Sequence, residues 1–152
     1  MSTTWLSASE MRAWRNFIES VNTMTAALGN DLVPFGLTLG DYEVLVRLSE
    51  ADEQKLRMCD LANALQLSPS GLTRRLDGLV STGLVERVAS PSDRRVMFAA
   101  LTIKGHAKLA EAAPDHVASV RNRFLKGLTR DQIRELGDIF EAVRGNLTAC
   151  PE

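Results

Sequence analysis

The chain predicts a mainly helical α+β fold: a helix-turn-helix and a strand hairpin held between long N-terminal and C-terminal helices. Three observations lead there. Apolar residues recur at three- and four-residue steps near both ends, as a buried helical stripe requires. Between Leu61 and Gly105 the pattern runs helix, turn, helix, strand, charged turn, strand. Both exposed parts of that stretch carry arginine. Ser68-Pro69-Ser70-Gly71-Leu72-Thr73-Arg74-Arg75-Leu76 opens the second helix, and Pro91-Ser92-Asp93-Arg94-Arg95 turns the hairpin. This is the order of a winged helix-turn-helix.

Each element has its own signal. Ser7 or Ser9 caps a first helix with Glu10 in its opening turn, and Met11, Trp14, Phe17, Ile18, Val21, Met24 and Leu28 form its stripe. It runs to about Asp31 and stops before Pro34. Thr38 starts a second helix with Asp41 in its first turn and Tyr42, Leu45, Val46 and Leu48 inside. Lys55-Leu56-Arg57-Met58 reads as an extended link, and Asp60 as the cap of a short helix from Leu61 to Leu65. Gln66-Leu67 makes the turn, and Ser68 caps the next helix with Pro69 at its first position, where a missing N–H costs nothing. Gly83 ends that helix. Leu84–Val88 and Val96–Leu101 read as the hairpin strands. Thr102 begins a long helix that Pro114 is expected to kink or break, and Thr129-Arg130-Asp131-Gln132 has capping-box spacing for a last helix ending near Leu147.

At 152 residues the chain fits one domain. Within it, 1–34 and 103–152 are expected to be dimerisation helices and 38–102 a winged-helix lobe. No apolar run approaches the ~20 residues that span a bilayer. Met1 to Glu10 lacks the basic start and apolar core of a secretory signal, so a cytoplasmic protein with no membrane partner is expected. The cysteines, Cys59 and Cys150, are far apart and sit at no metal-type spacing, so no disulfide framework is expected.

A net charge of −1 conceals a strong asymmetry. Residues 1–53 hold three arginines against eight acids (−5), residues 54–128 twelve basic residues against six acids (+6), and residues 129–152 three against five (−2). A phosphate backbone responds to the field within about a Debye length, not to the molecular sum. The basic surface therefore lies in the middle of the chain.

On a helical wheel, Leu72, Leu76, Leu79 and Val80 share one face, leaving Ser70, Arg74, Asp77, Gly78 and Ser81 opposite and Gly71, Thr73 and Arg75 on the flanks. A helix in a major groove needs small residues near the duplex, hydroxyls for phosphates and an arginine for guanine edges. The outer face supplies all three, and the free N–H groups of the Ser68-capped start favour a phosphate. The plain alternative is that Arg74 and Arg75 only solvate a surface helix. The hairpin tip weighs against it, because a purely structural turn would more simply use Asn-Gly. Asp93 beside two arginines is expected to hold one guanidinium while the other reaches into a narrow minor groove.

This arrangement resembles the MarR family of transcription regulators. The resemblance spans nearly the whole chain, and its specific parts are Asp93-Arg94-Arg95, matching an Asp-x-Arg wing core, and Leu101-Thr102-Ile103-Lys104-Gly105, matching Leu-Thr-x-x-Gly. It implies a homodimer with intertwined terminal helices, and a ligand-responsive repressor of a pseudo-palindromic operator in double-stranded DNA. Ser68, Ser70, Gly71, Thr73, Arg74, Arg75, Asp93, Arg94 and Arg95 would form its DNA contacts, with Arg95 entering the minor groove and Arg94 as the fallback. The apolar stripes support the dimer independently, since Ile133, Leu136, Ile139, Phe140, Val143 and Leu147 exceed what one small domain needs to cover.

Other functions find less support. In those members of the family that sense redox state the sensing cysteine lies in the first helix, where this chain has none, so redox sensing by Cys59 is the lesser reading. His106 and His116 assemble no metal set, and no metal or cofactor is expected. Trp14, Arg15, Phe17, Tyr42 and His116 are candidates for a pocket taking a small aromatic or phenolic ligand, against the plainer reading that the aromatics belong to the core. No Gly-rich phosphate loop, nucleophile elbow or paired His–acid constellation points to an enzyme. The alternative from another class is a helical protein–protein interaction module without specific DNA binding.

Overall fold

The computed structural model describes residues 4–93 and 95–148. Helix α1 (Ala8–Leu32) begins with a capping box: the Ser7 hydroxyl accepts from the Glu10 N–H, and the Glu10 carboxylate accepts the Ser7 N–H at 2.7 Å. Helix α2 (Leu39–Glu50) starts the same way, with Thr38 and Asp41 as the reciprocal pair. Strand β1 (Lys55–Arg57) leads straight into α3 (Met58–Ala64), followed by α4 (Pro69–Ser81), β2 (Val85–Ala89) and β3 (Met97–Leu101). Helix α5 (Ile103–Val120), a π-helical turn (Arg121–Leu125) and α6 (Arg130–Thr148) complete the chain.

Three expectations are corrected. Lys55–Arg57 is a strand rather than a link, pairing antiparallel with β3 so that Leu56 faces Ala99 and the sheet order is β1-β3-β2. Three residues of mixed polarity show too little alternation to announce a strand, and only the partner β3 makes them one. Helix α3 starts at Met58, so Asp60 lies inside its first turn and does not cap it. Pro114 sits within a continuous α5. Both it and Ala110 are exposed, so the carbonyl deprived of a helical donor lies on the solvent side, where water can replace the bond.

The core is a cluster of Leu32, Val44, Leu45, Leu48, Leu61, Leu72, Leu76, Leu79, Leu84 and Val85 with neighbours from β3 and α5. Val44 was not expected inside; it is fully buried, while Val46 is only half-buried. The ends of α3 and α4 close alike. Gln66 N–H bonds to the Asn63 carbonyl and Leu67 N–H to that of Ala62; Gly83 and Leu84 repeat this onto Val80 and Leu79. These are Schellman closures, and Gly83 takes the left-handed position at φ 73° without a Cβ penalty.

The Leu101–Gly105 segment is the joint between hairpin and terminal helices. The Thr102 hydroxyl donates to the Gly83 carbonyl at 2.7 Å and accepts the Gly105 N–H at 2.9 Å, capping α5 while tying it to the end of α4. A Cβ on Gly105 would stand 2.0 Å from the Leu84 carbonyl oxygen, so backbone meets backbone there and no side chain fits.

The terminal helices pack differently. Helix α1 buries Leu28 and Leu32 near its C-terminal end, but Trp14 is 52% exposed and Phe17 37%. On α6, Ile133, Ile139, Phe140, Val143 and Leu147 are all exposed. A groove of about 1360 Å³ runs between the two helices and the π-helical turn, lined by Trp14, Phe17, Phe124, Leu136 and Ile139 among others. Phe17 bridges its walls, 6.1 Å from the Trp14 ring and 5.9 Å from that of Phe140. Among the described residues, no helix is long and apolar enough to cross a membrane.

Candidate nucleic-acid interface

The helix-turn-helix presents α4 as the wheel requires. Leu72, Leu76 and Leu79 are buried, Val80 is half-buried, and Ser70, Thr73, Arg74, Asp77, Gly78 and Ser81 are exposed. The Ser68 hydroxyl accepts the Gly71 N–H at 3.1 Å and lies 3.2 Å from that of Ser70, so two hydroxyls and the positive helix start share one exposed corner. The Thr73 hydroxyl donates to the Pro69 carbonyl at 2.9 Å, leaving its lone pairs outward.

The adjacent arginines divide. Arg74 is exposed, and among the described residues its guanidinium has no partner. Arg75 is half-buried, turned over Gly40 with Nη1 4.0 Å from the Asp41 carboxylate at the start of α2. As placed, Arg75 docks α4 against α2, while Arg74 faces outward. The difference is a matter of about 100° around the helix.

The hairpin pairs in register from Val85↔Leu101 to Ala89↔Met97, and a tight turn closes its tip, Val96 N–H bonding to the Asp93 carbonyl at 2.9 Å. Asp93 Oδ1 accepts the backbone N–H of Arg95 at 3.0 Å, so the acid fixes the turn. An Asp two residues before a donor forms this closure readily, and a flexible arginine side chain pays more entropy for the same carboxylate. Arg95 is thereby held at the tip with its side chain exposed. Arg94 lies outside the described residues, as does Cys150.

Sequence reasoning missed Arg87. From β2, its Nη2 donates to the Asp77 carboxylate at 2.7 Å and to the Thr73 carbonyl at 3.2 Å, joining the hairpin to α4. The available signal was its spacing: it lies two residues from buried Val85, on the same strand face.

The five candidate pocket residues do not converge. Trp14 and Phe17 line the α1/α6 groove, and Arg15 is exposed without lining it. Tyr42 and His116 form a separate pair between α2 and α5, ring centroids 4.3 Å apart. Their separation follows from helix assignment: Trp14 and Phe17 lie two turns or more from the α1 end that packs on the core. Burial raises the Tyr42 hydroxyl above its ordinary range. Burial also lowers the His116 imidazole below its ordinary 6.5, partly opposed by Asp31, and its Nδ1 is buried without a hydrogen-bond partner. A lowered folded-state value means the unfolded chain takes up the proton first. The His116 contribution to stability is thus complete above pH 6.5 and declines as pH falls through and below it. Denaturant midpoints on either side of that pH are expected to differ less in His116→Phe than in the wild type; an equal difference would refute the assignment. Near this pair, Asp31 accepts from the Ser119 hydroxyl at 2.5 Å and from Arg123 Nη2 at 3.1 Å, bracing α1 to α5 and the π-helical turn.

Comparison with known proteins gives a consistent picture. The MarR family model matches residues 37–97, from just before α2 to the first residue of β3. AbsC, a MarR family transcriptional regulator from Streptomyces coelicolor, is 41% identical, with a TM-score of 0.92 over 95% of this chain and 98% of its own. Sco3205, a MarR family transcriptional regulator from the same organism in complex with DNA, is 34% identical, with a TM-score of 0.92 over 97% of this chain and 93% of its own. The HTH-type transcriptional repressor YetL of Bacillus subtilis is 28% identical over 110 residues, which is 70% of this chain but only 65% of that repressor's length.

Proposed function

This chain belongs to the MarR family of transcription regulators, and on that premise we propose that it is a dimeric, sequence-specific repressor binding a pseudo-palindromic operator. One observation carries the reading: a Ser68-capped α4 with exposed Ser70, Thr73 and Arg74 stands beside a hairpin whose Asp93-closed tip exposes Arg95. Ser68, Ser70, Gly71, Thr73 and Arg74 contact the major groove and its phosphates, with Arg75 supporting from the flank. Asp93 shapes the wing, and Arg95, with Arg94 beside it, enters the minor groove. No enzyme activity belongs to this family reading.

Helices in 1–34 and 103–152 pair with a second subunit, and 38–102 forms the reading lobe. The apolar α1/α6 groove supports that pairing, because exposing such a face in a monomer is costly. Two-fold symmetry then sets half-sites about 10 base pairs apart, or a multiple of that. A small aromatic or phenolic ligand that favours a different lobe spacing would lower DNA affinity by its differential binding free energy. The Tyr42–His116 contact, where α2 of the lobe meets α5, is the natural place to transmit such a change.

A salt titration tests the reading. Each phosphate neutralised contributes a slope of about −0.9 in log affinity against log salt. A dimer making six or more such contacts is expected to lose roughly a thousandfold in duplex affinity between ~50 and ~200 mM salt, measured by fluorescence anisotropy. Salt-indifferent binding would favour the helical interaction module, a reading that no relative found here supports.

A further inference from the structure

We propose that Arg87 is a positioning residue that sets the tilt of the wing against the recognition helix, so that both meet the duplex as one rigid body; this rests on the DNA-binding reading above. The argument begins with strand periodicity. Val85, Arg87 and Ala89 share a face of β2; Val85 is buried in the core, and Arg87 is the next side chain outward on that face. Apolar packing ends at Val85. At Arg87 it is replaced by two hydrogen bonds from one guanidinium nitrogen, to the Asp77 carboxylate and the Thr73 carbonyl of α4.

Beyond that point, among the described residues, little else holds the wing. On the other strand, β1 pairs with β3 from Phe98 to Ala100 and no further. The remaining hydrogen bonds near the tip (Ser90 to Val96, Val96 and Arg95 to Asp93) lie within the hairpin itself. They fix the shape of the wing but not its angle. Arg87 spans the gap between a hairpin closed by its own hydrogen bonds and the helix it must match.

Charge adds a second consequence. Asp77 lies on the outer face of α4, where an unpaired carboxylate would repel a phosphate backbone. The bridge cancels it and uses Arg87 in doing so. Among the described residues, Arg74 on α4 and Arg95 at the tip remain as exposed cations without an acidic partner. An exposed ion pair adds little to fold stability, so removing this one should appear in selectivity and wing mobility rather than in melting.

The test begins without DNA. Amide hydrogen exchange of residues 90–96 in the free protein is expected to quicken in Arg87→Ala with the melting temperature unchanged; unaltered exchange overturns the proposal. Wild-type protein is then used to enrich a duplex from a randomised library. Affinities for that duplex and for poly(dI-dC) are measured for Arg87→Ala, Arg87→Lys, Asp77→Ala, the double alanine variant and the exchanged pair Asp77→Arg with Arg87→Asp. Each single alanine substitution is expected to reduce the preference for the enriched duplex about fivefold, with the double variant no worse than either. Arg87→Lys should rescue in part, and the exchanged pair should recover preference over the single variants. If Arg87→Ala instead weakens both duplexes alike and lowers the salt slope by about 0.9, the residue is a phosphate ligand and the proposal fails. Additive single effects would also overturn it. A wild type that binds neither duplex defeats the DNA-binding reading itself, whatever the exchange data show.

Discussion

Arg95→Ala is expected to weaken binding to the preferred operator roughly tenfold to a hundredfold while leaving fold and dimer intact. The side chain is exposed at the hairpin tip, so its removal opens no cavity. The turn survives as well, because Asp93 holds the backbone N–H of Arg95, which alanine retains. On the proposed reading, what is lost is a guanidinium delivered to a groove whose negative potential grows as it narrows. Arg74→Ala offers a contrast from the same surface. If Arg74 reads a guanine bidentately, its loss costs about 1–3 kcal/mol and relaxes preference at one base position in each half-site. Gel-shift titrations on the operator and on single-base variants separate the two. An Arg95→Ala protein with wild-type affinity would remove the wing from the mechanism.

If the proposed dimer forms through the α1/α6 groove, Ile139→Asp is expected to convert it to monomer and to lower operator affinity by more than a hundredfold. Ile139 is 56% exposed on α6 and lines the apolar groove with Trp14 and Phe17, so the single subunit can keep a carboxylate there in water. A second subunit covering the groove would bury that charge unpaired, twice over because of the symmetry. With the dimer gone, one winged helix binds one half-site and the gain from linked sites disappears. Sedimentation equilibrium and gel shifts measure both effects. A stable Ile139→Asp dimer would mean that the subunits meet elsewhere.

These two results probe parts of the molecule that were legible to different degrees. Helix α4 was readable residue by residue: Ser68, Pro69 and Gly83 mark its ends, and the leucine spacing orients Arg74 outward. Capping and amphipathic burial are local rules, satisfied within four residues. The Asp93 turn was readable in position but not in bonding. That the carboxylate takes the backbone N–H two residues on is decided by turn geometry, which composition does not carry. Strand β1 was hidden for a different reason. Its three residues have no stripe of their own, and their partner β3 lies more than forty positions along the chain. The candidate pocket residues are not brought together within the single chain. Trp14 and Phe17 share a helix with the core-packed Leu28 and Leu32, yet they face the α6 groove while Tyr42 stacks on His116 elsewhere.

The sequence by itself determined the element order, the helix ends, the exposed arginines and the family, since each depends on short-range periodicity, capping chemistry or contiguous motifs. Tertiary structure alone decided that Arg75 turns inward to Asp41, that Arg87 braces the wing, and that the aromatic residues divide between two sites. Those outcomes depend on which side chains from distant segments arrive within a few ångströms of one another. Such distances are set by how the helices and sheet pack around the leucine core, and no local pattern encodes them.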